Sequence, residues 1–327
     1  MQKLAKTLRA VLGTATVVTL LSGCAVGMKV PIKDPVPSTK AYKKEGTVAP
    51  MALAFKNEQS EADKAAIMTG VLPMQLLSQD KPFEGVSWVA AHTVNELKAR
   101  GLPVSLGEGG TSVSIKRLHI ENYRANGFSP FITFTSVRAD VQTAAGPQRV
   151  TAYVKRAKVP VWSFDEIIDP TYNDALSLLT KELAAKLNQQ LFGQVVGTEQ
   201  VNSLVAAINA DATTRADAYL DVYQLGFSNN PAAVPELVKL TSHGSEYVRL
   251  AAISSLGILK AADQFGFLVK LYETKTGLWQ DRAMALKAIG DLGTPESRDY
   301  LKKEAGKLAS QSDKESTWNK DIIALYL

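Results

Sequence analysis

Arg249-Leu-Ala-Ala-Ile-Ser-Ser-Leu-Gly257 returns 33 residues later as Arg282-Ala-Met-Ala-Leu-Lys-Ala-Ile-Gly290. Ahead of these copies, Leu237-Val238-Lys239-Leu240 recurs as Leu268-Val269-Lys270-Leu271. A weaker copy begins at Arg215, with Ala218, Tyr219 and Val222 in the places of Ala252, Ile253 and Leu256. Pro295, Tyr300, Leu301 and Leu308 fit a further first helix. Each unit reads as a helix, a loop and a second helix with alanines at close-packing positions. One such unit cannot bury its own apolar face, so the repeat predicts stacked helix pairs over residues 197–327.

These units resemble HEAT repeats of the short bacterial kind. The resemblance implies an extended curved surface that holds protein segments or other domains. It makes Arg215, Arg249, Gly257, Arg282 and Gly290 structural repeat positions. In such repeats an acid four residues before the Arg helps form a ladder between units. Asp211 stands there for Arg215, but Ser245 and Leu278 occupy the later places, so an incomplete ladder is expected. Tyr219, Tyr223, Tyr247, Tyr272 and Trp279 could anchor an interface or fill the core, and the spacing leaves both open.

Upstream, residues 47–196 alternate differently. Val48–Phe55 is apolar enough for a strand that starts to pair after Pro50. Residues 56–82 are ambiguous. Val86, Val89, Ala90, Val94 and Leu97 recur at helical spacing until Gly101 stops them. Three strand-like runs follow, Ser112–Tyr123, Phe131–Gln142 and Arg149–Pro160, separated by Asn126-Gly127 and Gly146-Pro147. Val113 and Ile115 alternate out of phase with Leu118 and Ile120, as a bulge would produce. The Gly107-Glu108-Gly109-Gly110 stretch lacks phosphate-loop spacing and reads as a hairpin loop. Asp169 and Pro170 are placed as N-cap and first residue of a helix striped by Leu176, Leu179, Leu183, Leu187 and Leu191, closed by Gly193. The expected fold class is therefore an α+β domain, an antiparallel sheet with helices on one face, followed by an all-α repeat domain. Gly85-Val86, Gly101-Leu102-Pro103-Val104 and the leucine stripe to Phe192 give residues 48–193 a resemblance to small envelope and auxiliary lipoproteins. It implies binding or assembly support and brings no catalytic residues.

The N-terminus carries Lys3, Lys6 and Arg9, then an apolar run from Val11 to Leu21, then Leu21-Ser22-Gly23-Cys24. That order is a signal peptide, with an apolar run about half the roughly 20 residues needed to span a bilayer. The ending resembles the lipobox of bacterial lipoproteins, which implies cleavage before Cys24 and acylation of its sulfur and new α-amine, palmitate among the chains. Ala25, rather than Asp, after the cysteine resembles the outer-membrane class, facing the periplasm. Residues 1–23 are thus expected to be a signal peptide and 24–46, with three prolines and five lysines, a flexible tether. Three of the five net positive charges belong to the signal segment, which weakens any case for a nucleic-acid partner. One cysteine and three histidines, His92, His119 and His243, predict neither disulfide nor metal nor cofactor. No G-x-S-x-G or H-E-x-x-H spacing occurs, and Asp165, Glu166 and Asp169 read as helix N-terminal acids rather than catalysts. The chain is read as a lipid-anchored scaffold that binds an envelope protein through its repeats, not an enzyme. The alternative is a lipid or small-molecule carrier with a pocket in the α+β domain.

Overall fold

The computed structural model describes residues 27–43, 46–211 and 215–327. The chain is α+β first and all-α after it, as its two periodicities require. The principal sheet is mixed, not purely antiparallel. Its order is β6 (Val104–Leu106), β2 (Met51–Asn57), β7 (Thr111–Tyr123), β8 (Phe131–Thr143), β9 (Gly146–Lys158), with β3 (Met68–Gly70) also on β7. The β7–β8–β9 meander is antiparallel, and the β7 register breaks between Ile115 and Arg117, where the apolar phase slips. Strand β2, however, runs parallel to both β6 and β7. The glycine stretch is consequently no hairpin. It carries the chain over β2 from one edge to the other, and a Cβ on Gly110 would lie 2.2 Å from the Ala52 carbonyl oxygen. Glycines stand there because a strand backbone passes beneath them.

Part of the expected tether is folded. Met28–Ile32 forms β1, parallel to β4 (Met74–Ser78), which pairs with β5 (Lys81–Pro82), and Val30, Ile32 and Tyr42 are buried. The alternating Met-Lys-Val-Pro-Ile supplies apolar side chains on one face, and Pro31 sits on an edge strand where its missing N–H costs nothing. The ambiguous segment also holds a short α1 (Glu61–Ala65), capped by Ser60.

Helices α2 (Gly85–Ala99) and α3 (Asp174–Leu191) cover one sheet face, and Leu176, Leu179, Leu183 and Leu187 are fully buried there. Asp169 is not an N-cap. A helical turn begins at Asp165 and runs through a π-helical stretch, Ile168–Asn173, straight into α3, and Asp169 binds Lys33 and Asn173 instead.

The remainder is four helix pairs, α4 (Thr198–Asp211) with α5 (Ala218–Phe227), α6 (Val234–Leu240) with α7 (Glu246–Ile258), α8 (Phe265–Glu273) with α9 (Trp279–Leu292), and α10 (Pro295–Leu308) with α11 (Lys314–Tyr326). Helices α5, α7, α9 and α11 form an inner row, packed each on the next. Glycine sets each joint. A Cβ on Gly226 would meet Ser255 at 2.5 Å, one on Gly257 the Ala288 backbone at 2.6 Å, and one on Gly290 the Tyr326 ring at 2.4 Å.

Candidate functional site

In β9, residues 150–156 are all buried, a pattern that requires both sheet faces to be covered. Val150, Ala152, Val154 and Arg156 face the α2/α3 layer, where Arg156 donates to the Pro170 carbonyl and to Asp174. Thr151, Tyr153 and Lys155 point the other way, into the inner row of the repeats. The repeat array therefore holds its own sheet. Lys155 Nζ lies 2.5 Å from Glu246 at the start of α7, and the Tyr247 hydroxyl donates to the Ala157 carbonyl. The Phe134 ring is 4.8 Å from Trp318, which is 4.9 Å from Trp279. At the far end Arg149 and Arg138 donate to the last carbonyls of α11, Tyr326 and Ala324. Arg156 also lies over the rings of Tyr219 and Tyr247 at 4.2 and 4.3 Å. The tyrosines and tryptophan whose role the spacing left open are thus anchors of an internal interface, except Tyr223 and Tyr272, which pack within the helices.

A cleft opens along the seam between sheet and repeats. It has a volume of about 570 Å³, within the usual range of ligand sites. Tyr123, Ile132, Tyr247, Trp279 and Trp318 give it an apolar wall, with Gln280 among its lining residues. Two of its cations have acidic partners: burial depresses the Lys155 pKa and Glu246 opposes that shift, and Arg156 is held by Asp174, while Lys158 is the third cation on its wall. The Gln280 side-chain oxygen is buried without a hydrogen-bond partner. An apolar, aromatic-walled cleft of this size suits an apolar chain segment.

Two polar clusters below the surface hold the two units together. Lys186 and Lys287 alternate with Glu182 and Asp291: Lys287 Nζ lies 2.6 Å from Glu182 and 2.7 Å from Asp291, and Lys186 Nζ 2.7 and 2.5 Å from the same two. Thr151, Ser254 and Tyr326 add hydrogen bonds to the network, and Glu182 Oε2 stays buried without one. Arg100 of α2 donates to Glu96, Ser38, Gln224 and the Phe227 carbonyl, tying residues 38–42 to α5. Residue-by-residue reading misses both, though Lys287 is conspicuous in the run 283–290, otherwise built of small and apolar residues.

The repeat arginines do form rungs, in a register other than the expected one. Arg249 pairs with Asp281 at 3.0 Å and Arg282 with Glu315 at 2.7 Å, each acid lying in the following unit. Arg215 pairs with Asp217 and Asp221; of its expected partner Asp211, only the backbone is described. Leu21, Ser22, Gly23 and Cys24 lie outside the described residues. His92 meets Asp34 and Trp88, and His119 meets Thr69. Burial and the neighbouring Arg117 bring His119 down to about 4. Ser78-Gln79-Asp80-Lys81 has the spacing of a serine–lysine pair, but it is the turn between β4 and β5, with Ser78 opposite Lys81. Among the described residues no group of three or more His, Cys, Asp or Glu could hold a metal ion. Among them, too, no helix is long and apolar enough to cross a membrane.

No family model and no curated protein matches the chain. A solved structure of an uncharacterised protein is similar to 46% of this chain and 98% of its own length, at 12% identity and a TM-score of 0.29.

Proposed function

We propose that the chain is a lipid-anchored interaction protein of the bacterial envelope, periplasm-facing and held in the outer membrane through Cys24, that receives an apolar segment of a partner protein in the seam cleft. The repeats read as HEAT-like, but their inner row is occupied by the sheet domain, so that row is not free for a partner. The observation that carries the reading is the aromatic cleft. A photo-reactive residue in place of Gln280, in the full-length protein in cells, should capture one envelope protein. The same residue at Lys302, on the outer helix α10 and exposed, should not. Capture at both positions alike, or at neither, overturns the proposal.

A carrier role has its own supporting feature. A recess of about 650 Å³, lined by Phe55, Val86, Ala90 and Leu106, opens between β2 and α2. Native mass spectrometry should then show a co-purifying lipid.

A further inference from the structure

The described residues expose four large apolar side chains on loops at one end of the principal sheet. Val71 follows β3, Phe128 lies between β7 and β8, and Val159 and Trp162 follow β9. Their exposures are 49, 98, 55 and 84%. Strands β3, β7, β8 and β9 are neighbours, and pairing runs to the very end, Tyr123 against Ile132 and Phe131 against Lys158, so these loops are adjacent. Single exposed apolar residues are ordinary, but four on adjoining loops form a patch that calls for a cover.

The start of the described chain is at the same pole. The Met28 N–H donates to the Pro73 carbonyl at 3.0 Å, and the Val71 N–H donates to the carbonyl of Asn122, next to the last residue of β7. Gly27 lies against Pro73, Met74 and Gln75. Cys24 is three residues ahead of Gly27, and a chain of three residues reaches at most about 10 Å whatever its conformation. An acyl group on Cys24 would therefore enter the bilayer within about 10 Å of this pole. The folding of residues 28–32 removes the slack that a long tether would have supplied.

We infer that this pole is a membrane-docking surface, in which Trp162, Phe128, Val159 and Val71 sit in the headgroup region beside the anchor and fix the protein's orientation. The inference rests on the reading of Cys24 as a lipid anchor. The chemistry fits a bilayer interface, where Trp is enriched and where a buried apolar face adds to the hold of acyl chains. Lys29 and Lys158 on the same pole are placed to meet anionic headgroups.

The test uses the mature full-length protein reconstituted on vesicles of phosphatidylethanolamine and phosphatidylglycerol, with or without bromine on the acyl chains near the headgroup. Of four tryptophans, Trp162 is the one that stands in solvent, the others being buried or half-buried. Brominated lipid should quench roughly its share, about a quarter of the emission, and Trp162→Tyr should abolish that loss while the protein still floats with the vesicles. Phe128→Asp with Val159→Asp, surface changes that leave the core alone, should return Trp162 to its unquenched emission. Mass spectrometry of the same sample reads the anchor. Unquenched Trp162 on protein with acylated Cys24 overturns the docking surface alone. An unmodified Cys24 overturns the anchor and the docking surface with it.

Discussion

Lys287 occupies the place that Ser254 holds one unit earlier, and its Nζ lies 2.8 Å from that serine's hydroxyl. Burial works against its charge, but Asp291 and Glu182 outweigh it and leave its pKa above the ordinary lysine value. Burial likewise penalises the Asp291 carboxylate, and Lys186 and Lys287 outweigh it in the other direction, holding it below the usual value. The signs follow. The contribution of Asp291 is full above about 4 and is lost as pH falls through its lowered value; that of Lys287 is full below about 10.5 and is lost as pH rises through its raised one. The network is thus intact across neutral pH. Lys287→Met leaves two buried carboxylates with one cation and should cost about 3–5 kcal/mol. Urea unfolding should show a lower midpoint at an unchanged slope. The lysine itself was legible as an oddity in the repeat; that it meets an i,i+4 pair on a helix a hundred residues earlier was not, because local spacing carries no information about which helices touch.

At the level of elements, the glycines of the repeat are spacers. At Gly257 a methyl would lie 2.6 Å from Ala288 Cα, so α7 and α9 must part to admit it. Gly257→Ala should destabilise by about 1–3 kcal/mol through overpacking, even though the same change in a free helix would stabilise it. Gly266 in α8 has nothing within 4 Å of its added Cβ, and Gly266→Ala should stabilise by about 0.5–1 kcal/mol. Thermal melts of the two variants should move in opposite directions. The repeat pattern displayed Gly257 and Gly290 plainly, and the phase slip in β7 gave away its bulge. The ladder partners were missed because the sought acid precedes each arginine in sequence, whereas Asp281 and Glu315 reach it from the next unit.

Across the whole molecule, the seam is the structural decision that matters most. Separating the units would expose Phe134, Tyr153, Trp279 and Trp318, each worth roughly 1.5–3 kcal/mol of burial. Their sum is comparable to the entire stability of a typical domain, about 5–15 kcal/mol. The two units should therefore unfold together, with far-ultraviolet circular dichroism and tryptophan emission giving superimposable thermal transitions. A chain ending at Gly197 would bare the sheet face that the repeats cover, so loss of a partner after that truncation would not locate its binding site.

Period and spacing determined the order of this chain: strands where apolar residues alternate, helices where they recur every three or four, and a repeat of about 33 residues. Those signals are local, and local chain geometry is enough to read them. Tertiary structure alone decided that β2 lies between β6 and β7, that the proline-bearing segment after Cys24 becomes a strand, and that the repeats close on their own sheet. Each of these depends on which distant surfaces exclude water from one another, and a burial that two segments share is written in neither segment by itself.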